Sequence, residues 1–280
     1  MTSVNHFQHY TWRHRLIAAI SLHLHFTYTM RHGLAKGMKR RGGLGFVPWI
    51  GRDTVETLFL KSLNLTGKVV YDVGAFEGIL TMFFSRSARQ VISYEPNPQS
   101  RRRLETNIRL NGMTKVRVRP IALSDAPGHD KLVFDQLMPG AATSAKLVVE
   151  QLKHSSQKVI EVDVLVMRLD DDVIESSLAP PDLIKIDVEG LEQSVLRGAE
   201  RTLTEHQPAL YIELHGAEDP DKRANARGVV DLLWGWGYRE IFDVENAISV
   251  RPETVERPSH IFCLHPANHV LDPGILRSTN

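Results

Sequence analysis

The sequence predicts an α/β fold in which a mostly parallel sheet carries helices on both faces. Short apolar runs alternate with helical patterns from about residue 53 onward, and glycines or prolines separate many of them. Such alternation is typical of parallel sheets, because each connecting helix covers one face of the sheet. Two apolar runs follow the last helical pattern and favour an antiparallel edge. We therefore expect seven strands.

The expected elements follow in chain order. Apolar runs predict strands at residues 69–73, 91–94, 116–121, 183–188, 209–214, 238–244 and 260–264. Amphipathic patterns and capping residues predict helices at residues 53–63, 80–87, 99–110, 169–174, 191–206 and 227–234.

Residues 126–165 interrupt the alternation. Strand-like runs at residues 131–134 and 158–164 flank a loop at residues 140–144. We interpret this stretch as a hairpin-like insertion beside the functional site, which would help to shape the pocket of a second substrate.

Charge divides the chain into two parts. Residues 1–52 contain eight Lys or Arg and six His but no Asp or Glu, whereas the whole chain of 280 residues has a net charge of +1. We therefore predict a basic N-terminal extension at residues 1–52 and one α/β domain at residues 53–280. That length is enough for a full hydrophobic core.

The basic extension has two interpretations. Its most apolar stretch, residues 16–30, is interrupted by His23 and His25 and is shorter than the about 20 apolar residues that span a bilayer. It fits a helix or arm packed on the domain, or a peripheral contact of residues 1–45 with anionic lipid. Aromatic residues are too sparse among the basic ones for a nucleic-acid surface. Cys263, the only cysteine, excludes an intrachain disulfide and favours a cytoplasmic location, with membrane association as the alternative.

A glycine turn follows the first strand of the predicted domain. The strand ends in Asp72 and Val73, and Gly74 and Gly78 flank the turn. A dinucleotide site has the spacing Gly-x-Gly-x-x-Gly, which is absent here. A carboxylate at Asp72 would repel a pyrophosphate but can accept a hydrogen bond from the ammonium group of S-adenosylmethionine. The turn therefore favours a methyl donor over a nicotinamide, with a purely structural turn as the alternative.

A second acidic residue stands at the distance that a nucleoside cofactor requires. Glu95 ends the next strand, about 20 residues after the glycine turn, and Pro96 follows it. An acid in that place accepts hydrogen bonds from the ribose hydroxyls of a bound cofactor. Together the two acids predict a cofactor cleft.

Five segments of the chain resemble the FkbM-type methyltransferases: residues 71–78, 94–96, 122–124, 184–199 and 212–215. The Lys-x-Asp-x-Glu-Gly block from Lys185 to Gly190 is the most specific of them, and the resemblance covers about residues 53–265. It implies a Rossmann-like class I methyltransferase fold. It also implies S-adenosylmethionine-dependent O-methylation of a sugar, a polyketide or a related hydroxyl compound.

The resemblance also implies roles for individual residues. The amino-acid end of S-adenosylmethionine would be held by Asp72 and by the turn. The residues expected to bind the cofactor are Asp72, Val73, Gly74, Ala75, Gly78, Glu95, Pro96, Ala122 and Leu123. The last two are expected at the end of the third strand, where the adenine ring would lie.

Strands four and five end in candidate catalytic residues. Asp187 ends one strand, Glu213 ends the next, and His215 lies two residues later, on the same side of an extended chain as Glu213. We expect His215 or Asp187 to be the general base and Glu213 to orient the substrate. Alternatively, Asp187, Glu213 and Glu189 would bind Mg²⁺. Glu189 and Glu192 could instead only complement the N-terminus of the following helix. Lys185 is expected to pair with Asp187.

The function predicted from the sequence is therefore S-adenosylmethionine-dependent methylation of a hydroxyl on a small-molecule, sugar, glycan, polyketide or lipid-linked acceptor. The main alternative is a non-catalytic module that binds a nucleoside cofactor. An NAD-dependent oxidoreductase is a weaker alternative, because the dinucleotide spacing is absent.

Overall fold

The computed structural model describes residues 26–42, 53–135, 138–145, 149–150, 153 and 159–266. Its strands are β1 Phe26–Thr29, β2 Lys39–Gly42, β3 Val69–Val73, β4 Gln90–Tyr94, β5 Val116–Arg119, β6 Ala122–Leu123, β7 Gly128–Asp135, β8 Met138–Thr143, β9 Val159–Met167, β10 Leu183–Ile186, β11 Ala209–Glu213, β12 Glu240–Asp243, β13 Ile248–Ser249 and β14 His260–Leu264. The helices in this part of the chain are α1 Val55–Ser62, α2 Ile79–Ser85, α3 Pro98–Leu110, α4 Leu169–Glu175, α5 Glu192–Arg197, α6 Glu200–His206 and α7 Asp219–Gly235.

The central sheet has the order β13-β12-β14-β11-β10-β3-β4-β5. Its five strands from β5 to β11 are parallel, and β14 is antiparallel to β11. The fold class is the Rossmann-like arrangement of class I methyltransferases, as predicted. Beyond the seven expected strands, the described residues add the two-residue strand β13 at the edge, antiparallel to β12.

Helices cover both faces of the sheet. On one face, Leu196, Leu203 and Val229 from α5, α6 and α7 join a core with Tyr71 and Ile184. On the other face, α1 and α2 bring Phe59, Leu60 and Phe84 onto Val70 and Tyr211. Successive residues of β3 therefore alternate between two apolar cores, as a strand buried on both faces requires.

The helix predicted at residues 191–206 is wrong in one respect, because it is two helices, α5 and α6. The carboxylate of Asp170 accepts hydrogen bonds from the backbone N–H groups of Arg201 and Thr202, at 3.0 and 2.8 Å. The backbone N–H of Asp170 donates to the carbonyl of Gly198 at 3.0 Å. A distant aspartate thus ends one helix and begins the next, which no local pattern announces.

The stretch after β5 forms a second sheet of order β6-β9-β7-β8. Strands β7 and β9 pair antiparallel, as predicted for a hairpin-like insertion. The loop expected at residues 140–144 is wrong, since β8 extends to Thr143 and pairs with β7. Strand β5 also ends at Arg119, two residues earlier than predicted.

Part of the basic extension is an antiparallel hairpin of β1 and β2 that packs on the domain. Its residues Met30 and Ala35 are buried against Met82 of α2. Residues 1–25 and 43–45, on which much of the predicted lipid contact falls, lie outside the described residues. In the part of the chain that is described, no helix is long and apolar enough to cross a membrane.

A buried lysine ties β3 to β10 at their carboxyl ends. The Nζ atom of Lys185 donates to the carbonyl of Gly74 at 2.8 Å and lies 3.2 Å from Asp187 and 3.4 Å from Asp72. Burial lowers the pKa of Lys185, but the carboxylates of Asp187, Asp72 and Glu213 outweigh this and raise its pKa above the usual value. Lys185 is therefore charged, and the predicted pair with Asp187 is confirmed.

We expect Lys185→Met to lower the free energy of unfolding by about 3–5 kcal/mol, because it leaves the carboxylate of Asp72 buried without a counter-ion. Lys68→Met is the matched control. Lys68 pairs with the half-exposed Asp182 at 3.2 Å, so its loss should cost less than about 1 kcal/mol. Urea unfolding measures both values. Equal losses in the two variants would show that Lys185 is not the tie between these strands.

Candidate active site at the ends of strands β3 and β10

The order of the strands reverses between β3 and β10, and ligands of open α/β sheets bind at such a point. The glycine turn follows β3 and Asp187 follows β10. Gly74 has a φ of +77°, and a Cβ atom there would lie 1.8 Å from the carbonyl oxygen of Asp187. Only glycine fits both constraints. The predicted cofactor turn and the predicted catalytic aspartate are thus in direct backbone contact.

Asp72 lies fully buried behind this turn. Its Oδ2 atom accepts a hydrogen bond from the hydroxyl of Thr81 at 2.6 Å, and the same hydroxyl lies 2.9 Å from that of Ser93. Lys185 lies on the other side of the carboxylate. Direct contact of Asp72 with the ammonium group of a cofactor stays a prediction.

The backbone of the turn is packed tightly. Val73 and Ala75 are almost fully buried. A Cβ atom on Gly78, which has a φ of +87°, would lie 2.4 Å from Leu104 of α3. The second glycine therefore lets α3 approach the turn, a reason that the motif alone does not reveal.

Glu95 lies against the same turn. Its carboxylate accepts hydrogen bonds from the backbone N–H groups of Phe76 at 2.6 Å and Asn97 at 2.8 Å. Burial raises the pKa of Glu95 to about 8, although these two N–H groups and Lys185 act in the opposite direction. The structure thus brings together the two parts of the predicted cofactor cleft, and Pro96 follows, half-buried.

Ala122 and Leu123 lie in a different setting from the one predicted. They form β6 of the second sheet, paired with β9, rather than the end of the third strand of the central sheet. Leu123 is buried and Ala122 is half-buried. Their contact with an adenine ring stays a prediction.

A cluster of acids surrounds His215. Its Nε2 atom lies 3.3 Å from Glu213, 3.7 Å from Glu189 and 3.8 Å from Asp187, and its Nδ1 atom lies 3.0 Å from Glu192. The expected placement of Glu213 and His215 on one side is confirmed by the first distance. Glu192 is fully buried, so it does more than complement a helix end: its other oxygen accepts a hydrogen bond from the amide of Asn225 at 2.7 Å.

The close contacts in this cluster shift the pKa values of its side chains. Burial lowers the pKa of His215, but hydrogen bonds to Glu192 and Glu213 and the charges of Glu189 and Asp187 raise it well above its usual value. Burial raises the pKa of Asp187, and it raises that of Glu189 to about 7. In this arrangement His215 is an imidazolium, which has no lone pair to accept a proton. Of the two predicted bases, Asp187 is the one with free oxygen lone pairs.

Three of these side chains have the spacing of metal ligands. One ligating atom each from Asp187, Glu213 and His215 lies within 4.8 Å of the other two. The two carboxylate oxygens suit Mg²⁺ or Mn²⁺, and an imidazole nitrogen beside them suits Zn²⁺. The set predicted from the sequence contained Glu189 in place of His215, and the carboxylate of Glu189 borders the same group.

His260 is a neighbour of the site that the sequence did not indicate. It begins β14, directly opposite Glu213 in the register of the sheet, and its Nε2 atom lies 3.5 Å from Glu213. Its ring stacks on Tyr211 with centroids 5.4 Å apart, and Glu245 binds its Nδ1 atom. The sequence indicated the antiparallel edge strand but not its register, which places His260 opposite Glu213.

Three known proteins that are similar to this chain are methyltransferases or named as such. Methyltransferase 1 of Beauveria bassiana is 31% identical over 46% of this chain and 57% of its own length. The 2-O-methyltransferase NoeI of Sinorhizobium fredii is 26% identical over 64% of this chain and 76% of its own length. A crystal structure of a methyltransferase FkbM from Methylobacillus flagellatus aligns with 79% of this chain and 46% of that chain, at 19% identity and a TM-score of 0.44.

The chain spans about half the length of the first and the third of these proteins. The fold assignment rests on the strand order described above. The family assignment rests on a wider match, because the family model of the methyltransferase FkbM domain matches residues 72–240, from the acid before the glycine turn to the start of β12. This chain belongs to the FkbM family of methyltransferases.

Proposed function

We propose that this chain transfers the methyl group of S-adenosylmethionine to a hydroxyl oxygen of a small-molecule, sugar, glycan, polyketide or lipid-linked acceptor. The observation that carries the proposal is the backbone contact between Gly74 and Asp187. It sets the predicted cofactor turn directly beside side chains that could accept a proton or ligate a metal ion. Family membership and the O-methyltransferase name of the relative NoeI support a hydroxyl acceptor.

Cofactor binding would use the turn and Glu95. A carboxylate has about four lone-pair positions, and Glu95 uses two of them for Phe76 and Asn97. The remaining positions would accept hydrogen bonds from the two ribose hydroxyls. When bound, S-adenosylmethionine supplies a methyl group that is already activated on a sulfonium sulfur.

The remaining chemistry belongs to the residues at β10 and β11. The acceptor hydroxyl must lie about 3 Å from the methyl carbon and lose its proton as the new bond forms. Asp187 would accept that proton, while the contact with Lys185 at 3.2 Å fixes the orientation of its carboxylate. His215 would hold Glu213 and Asp187 in place through its imidazolium.

A metal ion is compatible with the same side chains. Asp187 and Glu213 would hold Mg²⁺, Glu189 lies close enough to join them, and His215 would join only after its imidazolium has lost a proton. The ion would lower the pKa of a bound hydroxyl.

Two other functions compete with this proposal. A binding module without catalysis would keep the turn and Glu95, but it would not need the acids around His215. A nicotinamide oxidoreductase would need the closely spaced glycines that hold a pyrophosphate, and the spacing from Gly74 to Gly78 does not supply them.

We expect calorimetry to detect binding of S-adenosylmethionine and not of NAD. The affinity for 5′-methylthioadenosine, which keeps the ribose but lacks the amino acid, should rise about tenfold between about pH 7 and about pH 9. Glu95 is mostly protonated below its pKa of about 8 and ionised above it, and the ionised form accepts stronger hydrogen bonds.

Glu95→Gln is the control, because an amide does not titrate and should bind with the same affinity across this pH range. A pH dependence that persists in Glu95→Gln would remove Glu95 from the ribose site. Binding of NAD in place of S-adenosylmethionine would contradict the proposed function.

The metal alternative predicts that the wild-type chain binds one Mn²⁺ ion, as measured by the loss of the free-ion signal in electron paramagnetic resonance. Asp187→Asn should weaken this binding at least about tenfold, because a neutral amide is a poorer ligand than a carboxylate. Asp163→Asn, which changes an exposed carboxylate on β9, should leave it unchanged. If the wild-type chain and Asp187→Asn bind equally, or if neither binds, proton transfer to Asp187 without a metal is the mechanism to retain.

A further inference from the structure

Glu77, in the middle of the glycine turn, is a buried acid that forms ion pairs with two arginines. Its side chain is 1% exposed, and its two carboxylate oxygens pair separately with Arg40 and Arg103. Arg40 is fully buried and lies in β2 of the N-terminal hairpin, whereas Arg103 belongs to α3. The guanidinium of Arg40 also donates to the hydroxyl of Tyr28 at 3.3 Å. An arginine from the basic extension thus reaches into the predicted cofactor turn.

Two asparagines of the domain hold the edge of β2 in place. The side-chain oxygen of Asn111 accepts from the backbone N–H of Lys39 at 2.8 Å, and that of Asn107 accepts from Arg41 at 2.7 Å. Four residues of helix rise about 6 Å and two residues of strand rise about 6.6 Å. The spacing of the two asparagines therefore matches that of alternate residues of β2. Their side chains accept the hydrogen bonds that a neighbouring strand would otherwise accept.

Asn107 connects this edge to the turn itself. Its amide donates to the backbone carbonyl of Glu77 at 2.9 Å, and the whole residue is buried. The carbonyl and the carboxylate of Glu77 are therefore both bound by groups that the hairpin aligns. Gly42 lies beside the pair, where a Cβ atom would be in ordinary contact with Glu77 and Arg40.

The turn needs such support because its backbone is strained. Phe76 has a φ of +50°, which side chains other than glycine adopt at a cost. Glu95 binds the backbone N–H of Phe76 on one side. Arg40 and Arg103 bind Glu77 on the other. The strained residue thus lies between two charged anchors.

We propose that Arg40 is a positioning residue for the S-adenosylmethionine site and acts through Glu77 to hold the turn in its binding conformation. This inference rests on the proposed function only in its assignment of the turn to that cofactor. It gives residues 26–42 of the basic extension a role in cofactor binding that their charge alone would assign to lipid.

Stability alone does not account for this arrangement. A buried ion pair contributes little more to stability than well-packed apolar side chains of similar size, but its directional hydrogen bonds fix one geometry. A turn that spends only about one tenth of its time in the binding conformation binds its ligand about tenfold more weakly. Loss of the pair should therefore show in affinity more than in folding.

The test compares three variants of the full chain by calorimetry with S-adenosylhomocysteine, by thermal unfolding and by amide hydrogen exchange. Arg40→Met leaves Glu77 with Arg103 alone. The double variant Arg40→Met with Glu77→Met removes the buried charges of both residues. Arg86→Met is the matched control, since Arg86 binds the hairpin through the carbonyl of Lys36 and does not touch the turn.

Arg40→Met should weaken binding of S-adenosylhomocysteine about tenfold or more and speed amide exchange at residues 74–78 but not in β11. The double variant should unfold at about the temperature of the wild type, because no buried charge is left unpaired. It should keep the weaker binding and the faster exchange of Arg40→Met. Arg86→Met should bind like the wild type.

Wild-type exchange at residues 74–78 in Arg40→Met would overturn the inference. Recovery of affinity together with stability in the double variant would also overturn it, since Arg40 would then be only structural. If Arg40→Met does not fold, the double variant decides. If the wild-type chain does not bind S-adenosylhomocysteine, the proposed function fails, while amide exchange still shows whether Arg40 holds the turn.

Discussion

The charged ammonium group of Lys185 is the constraint on which the rest of this site depends. It is buried at the ends of the two neighbouring strands β3 and β10, where it binds a carbonyl of the glycine turn and lies between the carboxylates of Asp72 and Asp187. These two acids would repel each other without it. Because Gly74 leaves no room for a side chain beside the carbonyl of Asp187, the predicted cofactor turn and the predicted catalytic aspartate meet at this one point. The fold thereby sets the distance between the two halves of the proposed methyl-transfer site.

The charges around His215 extend this constraint toward the acceptor. The four carboxyl groups of Asp187, Glu189, Glu192 and Glu213 surround a single imidazole, and they outnumber the nearby cations His215, Lys185 and His260. An excess of this kind favours a cation, and both a sulfonium and a divalent metal ion are cations. The arrangement therefore fits a methyl donor with or without a metal.

The sequence predicted the features that depend on neighbouring residues. The strand and turn from Asp72 to Gly78, and the alternation that sets Glu213 beside His215, are local patterns. The pair of Asp187 with Lys185 is equally local, since the two residues are two positions apart and lie on one face of an extended chain. What it missed depends on residues far apart in the chain. Asp170 divides a helix about thirty residues away, and His260 meets Glu213 only through the register of β14. The N-terminal hairpin is the clearest example of a contact that the sequence does not predict, because a run of basic residues does not reveal that Arg40 has a buried partner.

A crystal structure of the complex with S-adenosylhomocysteine, grown with Mn²⁺, would show whether the glycine turn and Asp187 form one site. We expect the ribose on Glu95, the amino-acid end along residues 74–78, and the sulfur facing Asp187, with Lys185 still between Asp72 and Asp187. Anomalous scattering from manganese at Asp187, Glu213 and His215 would identify the metal-dependent form. A ligand bound at the opposite edge of the sheet, or a sulfur that faces away from Asp187, would contradict the proposed site.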